Sequence, residues 1–129
     1  MIRFLDKATI IAFHDDQIEK YGGSKGVRDE NLLESALAQP EATFGGEYVH
    51  EDIYMMAAAY GFHICSNHPF YDGNKRTALI AMYTFLYVNG YQINADNKSL
   101  YATMIDLASG KVEKSELAAF LRENVTKRQ

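Results

Sequence analysis

The sequence has no tryptophan, a single cysteine and only two prolines among its 129 residues. With Cys65 alone, no internal disulfide can form, and nothing points to an oxidising compartment. Pro40 and Pro69 stand well apart, and there is no Pro/Ser-rich linker, repeat or low-complexity tract to divide the chain. It reads as one domain, 1–129, long enough for a single hydrophobic core. Excess positive charge is missing as well. A formal net charge of -4 leaves none of the Lys/Arg footprint on which non-specific nucleic-acid binding depends.

Long apolar runs are absent too. The longest weakly polar stretch, Thr77 to Val88, is too short to span a bilayer. The N-terminal "MIRFLDKATIIAFHDDQIEKYGG" is broken by Arg3, Asp6, Lys7 and His14, and it has neither an apolar h-region nor a small-residue cleavage site. The expectation is a cytoplasmic protein with no membrane or nucleic-acid partner. What the chain does have is 47% hydrophobic residues against 23% charged, a balance that excludes disorder.

Strand-like alternation is scarce, so helix dominates. A first helix is predicted from about Lys7 to Tyr21, with Ile10, Ile11, His14 and Ile18 on one face and Gly22-Gly23 as its stop. A second lies in "RDENLLESALAQP", capped by Asp29, with Leu32, Leu33, Ala36 and Leu37 turned inward. "TFGGEYVHED" reads as a loop or short hairpin around Gly45-Gly46. "EDIYMMAAAYGFHICS" is apolar nearly all round, which places it at the centre of a bundle. Its predicted partner is a helix from about Asn74 to Val88, stopped by Asn89-Gly90. "DNKSLYATMIDLASG" and "EKSELAAFLREN" supply two amphipathic helices. The fold class is therefore all-α, a compact bundle of roughly five or six helices around two central ones.

The stretch "HPFYDGNKR", residues 68–76, falls in the turn between those two central helices. The first N–H groups of a helix lack internal partners and carry partial positive charge. Together with Gly73, Lys75 and Arg76 they favour an anion, for which phosphate is the natural candidate. Arg76 can bind phosphate in bidentate fashion, and Asn74 can add a neutral donor. Asp72 has the wrong sign for such a pocket unless a cation such as Mg²⁺ lies between. His68 has an unperturbed pKa near neutrality and is the candidate general base for a hydroxyl. Phe70 is expected to point inward and pin the turn.

Each residue also has a plainer explanation. His68 alone suits a cap or a satisfied semi-buried histidine, and Asp72 alone suits the N-cap of the following helix. Lys75 and Arg76 alone are an exposed first turn, although cations there oppose the helix dipole. Phe70 and Tyr71 suit packing. His63, Cys65 and His68 have no common zinc spacing, and His14 and His50 are assigned structural or surface roles. The plain explanations weaken when all must hold at once in one short turn.

"HPFYDGNKR" resembles the signature of the Fic/Doc family, H-x-F-x-(D/E)-G-N-(G or K)-R, and matches it at His68, Phe70, Asp72, Gly73, Asn74, Lys75 and Arg76. "HDDQIEKYGGSKGVRDENLLESALAQPEATFGG" and "FLYVNGY" extend the resemblance towards the death-on-curing (Doc) branch. Typical Fic proteins have Gly where this chain has Lys75, and a further arginine where it has Leu79; they transfer AMP from ATP to a protein hydroxyl. The Doc branch is similar in fold, binds ATP in reverse and transfers its γ-phosphate to a threonine of elongation factor Tu, arresting translation. The resemblance therefore implies a toxin kinase with His68 as base, Asp72 on Mg²⁺, and Gly73, Asn74, Lys75 and Arg76 around the phosphates of ATP. It also implies an antitoxin whose C-terminal segment covers the active-site groove, since the chain has no evident inhibitory helix of its own. The Gly45-Gly46 loop is then a docking flap for the target. AMP transfer, or a silent nucleotide- or partner-binding domain, are the alternatives.

Overall fold

The computed structural model describes residues 1–128. Its elements run α1 (Lys7–Tyr21), α2 (Glu30–Ala38), β1 (Thr43–Phe44), β2 (Glu47–Tyr48), α3 (Ile53–Asn67), α4 (Asn74–Val88), β3 (Tyr91–Ile93), α5 (Asn97–Ala108), α6 (Lys114–Asn124) and β4 (Val125–Lys127). This is the helical bundle that the sequence predicts. Local chemistry sets most helix starts: Asp6, Asp29, Asp52 and Asp96 each accept a hydrogen bond from the backbone N–H three residues on. Helix α6 uses a reciprocal capping box between Glu113 and Glu116.

The two central helices are α3 and α4. Helix α3 packs against α4, α6, α2 and α5, and Met56, Ala57, Ala58, Ala59, Tyr60, Gly61 and Ile64 are all buried on it. Its small residues let neighbours come close. A Cβ added at Gly61 would stand 3.2 Å from both Leu117 Cδ2 and Met82 Sδ, so even an alanine there would press on α6 and α4. Phe85, Leu86, Ala78, Ala81 and Met82 complete the contact from α4.

Two short sheets accompany the helices. The hairpin β1–β2 turns through Gly45-Gly46, both at positive φ, with Thr43 opposite Tyr48 and Phe44 opposite Glu47. The second sheet pairs β3 with β4 antiparallel, Gln92 opposite Thr126, and is not foreseen in the sequence. Among the described residues, no helix is long and apolar enough to cross a membrane.

Candidate active site

The turn joining α3 to α4 forms because α3 ends in a forced way. His68 is the C-cap, at φ 52° and ψ 52°, and its N–H donates to the Ile64 carbonyl. It is the one non-glycine residue at positive φ among the described residues. Pro69 then removes a backbone donor and bars helix continuation. Phe70 turns fully inward, as expected, and stacks on the buried His14 ring at 3.9 Å with 7° between planes. Nε2 of His14 donates to the Asp72 carbonyl at 2.7 Å, so the histidine assigned a structural or surface role holds the floor of the turn.

Asn74 departs from expectation. Its side chain is buried, its amide donates to the Phe70 carbonyl at 3.0 Å, and its oxygen accepts from the Phe70 N–H at 3.0 Å. The amide expected to meet a phosphate is thus occupied in bracing the turn, and only the Asn74 backbone faces the helix start. Asp72 is not the N-cap. That place belongs to Gly73, at φ 77°, and no side chain caps α4. A Cβ at Gly73 would also come within 3.3 Å of Ile18 Cδ1. Instead Asp72 accepts from its neighbour Gly73 N–H at 2.8 Å and from Ser24 N–H at 3.3 Å. The Gly73 N–H is therefore engaged, and the free donors are those before the first α4 bond, which runs from Thr77 N–H to Gly73 C=O.

A segment of the α1–α2 connection lies along the turn. Val27 bridges Phe70, Tyr71 N–H donates to the Gly26 carbonyl, and the N–H groups of Arg28 and Asp29 converge on the Pro69 carbonyl. A Cβ at Gly23 would lie 2.6 Å from Asp72 Oδ2, so only glycine lets this loop meet that carboxylate. Arg76 donates to the Gly22 carbonyl at 3.3 Å and sits over the Tyr21 ring. Part of its guanidinium therefore closes α1.

On the outer side lies a cleft of about 360 Å³, lined by His68 and residues 71–76 together with Cys65, Leu79 and three α5 residues, Tyr101, Met104 and Ala108. One wall is polar, from His68 through Asp72 to Arg76. The other is apolar, and burial there pushes the Cys65 thiol up to about 11, so it stays protonated. Tyr71, expected to pack, is 58% exposed at the rim. Among the described residues, neither the His68 imidazole nor the Lys75 ammonium has a hydrogen bond or ion pair. The Asp72 carboxylate is exposed, and each of its oxygens accepts a single backbone N–H. Each oxygen therefore keeps a lone pair, which fits a hard cation shared with phosphate oxygens.

His63 turns away from the cleft. Nζ of Lys114 donates to His63 Nε2 at 3.1 Å and to His50 Nε2 at 3.0 Å. Burial, then the ammonium, pushes His63 down to about 4 and lowers His50 as well. Sequence spacing gave no sign of this cluster, because its members come from the β2–α3 connection, α3 and α6.

The sequence model of the Fic/DOC family matches residues 4–86. Over 121 residues, 94% of each chain, the protein is 32% identical to "Protein kinase doc" of Escherichia phage P1. Over 76 residues it is 45% identical to "Toxin Doc" of Mycolicibacterium smegmatis (strain ATCC 700084 / mc(2)155), a match covering 59% of this chain and 58% of that protein. The matched span carries α1 to α3, the whole turn between the central helices and all but the end of α4. The chain belongs to the Fic/DOC family, on its Doc branch.

Proposed function

We propose that this chain is the toxin of a toxin–antitoxin pair and a protein kinase, transferring the γ-phosphate of ATP to a threonine hydroxyl of elongation factor Tu. The observation that carries the reading is the pairing of an unpartnered His68 imidazole with an uncapped helix start flanked by Lys75, across one cleft. The relative named a protein kinase, matched over 94% of its length, supports the same reaction class.

In the reaction His68 takes the proton of the threonine hydroxyl as its oxygen forms a bond to the γ-phosphorus. The bond from that phosphorus to the bridging oxygen breaks, and ADP leaves with the electron pair. Phosphoryl transfer is catalysed by positioning and charge neutralisation. Here the backbone N–H groups of Asn74, Lys75 and Arg76 and the Lys75 ammonium receive the phosphate oxygens. Asp72 would hold Mg²⁺, which supplies further charge neutralisation when bound. The apolar wall gives the rest of the nucleotide a surface to lie against.

AMP transfer is the second reading, and it is disfavoured by Lys75, which narrows the phosphate channel, and by Leu79, which lines the cleft where an additional guanidinium would serve a longer phosphate chain. A silent binding domain has no use for an unpartnered base beside a carboxylate with free lone pairs. The reading carries with it a cytoplasmic site of action, an antitoxin segment laid over the cleft, and the Gly45-Gly46 hairpin as the edge that receives the target.

The test is a pair of reactions with Mg²⁺ and elongation factor Tu, one with ATP labelled at the γ-phosphate and one at the α-phosphate. Transfer of only the γ label is expected. Transfer of the α label would replace the kinase by an AMP transferase, and no transfer of either would remove elongation factor Tu as the target.

A further inference from the structure

Helices that end in the left-handed conformation usually do so on glycine, because a Cβ crowds the following carbonyl there and other residues adopt it at a cost. Helix α3 ends on His68 instead, at φ 52°. An imidazole held in that conformation needs an outside constraint, and the surroundings of the turn contain one. The Arg28 Nε–H donates to the His68 carbonyl at 2.8 Å, and Nη2–H donates to the Asn67 carbonyl at 3.1 Å. The backbone N–H of the same residue donates to the Pro69 carbonyl at 2.7 Å. One residue thus holds three consecutive carbonyls, those before, at and after the left-handed position.

We propose that Arg28 is the positioning residue for the His68 base: its guanidinium fork fixes the left-handed backbone that presents the imidazole to the cleft. The inference rests on the reading of His68 as the base. Arg28 does not line the cleft, and the hydrogen bonds it makes to the turn go to main-chain carbonyls, so it acts through the backbone. Its charge also suits the place, since a cation at a helix C-terminus complements the dipole and satisfies carbonyls left without partners. A planar fork is required: two adjacent carbonyls are engaged by two N–H groups fixed relative to each other, which an ammonium on a flexible stem does not reproduce.

The consequence is a split between kinetic parameters. Arg28→Ala should lower kcat for γ-phosphate transfer by about 10- to 100-fold, the effect of moving a catalytic group by a fraction of an ångström to an ångström. The KM for ATP should stay as in the parent, because residues 73–76 are undisturbed. Arg28→Lys should fall between the two, and it serves as the working variant if Arg28→Ala does not fold. A second readout is independent of activity. The His68 Cα and Cβ chemical shifts in isotope-labelled protein should carry the left-handed signature in the parent and lose it in Arg28→Ala. Retention of that signature together with an unchanged kcat would overturn the inference, as would a KM for ATP that rises in step with the fall in kcat. A parent protein that transfers no label would remove elongation factor Tu as the target instead, and the chemical shifts would then decide the role of Arg28 by themselves.

Discussion

Helix α3 carries one histidine, His63, and ends on another, His68, at its C-cap, and the two live under opposite rules. His63 is tied to His50 through Lys114, whose ammonium donates to Nε2 of each ring. His68 faces a cleft next to Lys75 with neither group paired among the described residues. The ingredients are the same, imidazole and ammonium. What differs is whether folding consumes their hydrogen-bonding capacity or leaves it over. A consumed cluster fixes where α6 and the segment after β2 sit against α3, and an unconsumed one is available to a ligand.

The largest effect should come from the open member of the pair. His68→Ala is expected to reduce transfer by about 100-fold or more, the usual worth of a general base, with a melting temperature close to the parent's; kinetics and calorimetry on one preparation check both. A variant as active as the parent would break the comparison. Next comes Lys75→Ala, which should lower kcat/KM for ATP by roughly 10- to 100-fold, the value of a charge-assisted contact. Its thermal stability should not change, since Lys75 has no hydrogen bond or ion pair to lose among the described residues.

Asn74→Ala tests the inner face of the same turn and should act on stability instead. It strands the Phe70 N–H and C=O without water, a loss of about 2–4 kcal/mol, readable in a denaturant titration. The smallest effect belongs to the closed cluster. His63 has an unfolded pKa of 6.5 and a folded value of about 4. Below pH 6.5 the unfolded chain therefore binds a proton that the folded chain refuses. Stability should be full above pH 6.5 and decline as pH falls towards about 4. Lys114→Met should flatten part of that decline, because burial remains the larger cause, and it should leave the transfer rate at pH 7.5 untouched. Lost transfer in Lys114→Met would mean that the two histidine clusters are coupled after all.

These outcomes depend on parts of the molecule that were unequally legible in the sequence. Helices α1 and α4 begin and end where Gly22-Gly23, Asn89-Gly90 and the apolar spacing place them. The motif letters likewise sit on one turn between the central helices. What the letters hid was direction. Asn74 reads as a donor to a ligand but folds back onto Phe70, and Tyr71 reads as packing but lies at the rim. The supports were hidden altogether. Arg28, His14 and Gly23 lie far from the motif in sequence, and each acts through long-range contacts that leave no periodicity behind. The β3–β4 sheet escaped for the same reason: Gln92 finds Thr126 only after α5 and α6 have folded between them.

The splint along the turn has one more consequence, for the order of events during synthesis. Arg28 reaches Asn67 and His68 across 39 and 40 positions, and His14 reaches Asp72 across 58. Contacts that distant wait until the intervening loop has closed. Substitutions at Arg28 and His14 should thus give φ-values near zero, marking contacts made after the folding barrier is crossed. A ribosome that has translated all of "HPFYDGNKR" holds the letters of the site but not yet the site, and the cell making this chain meets an inert polypeptide until its last stitches are drawn.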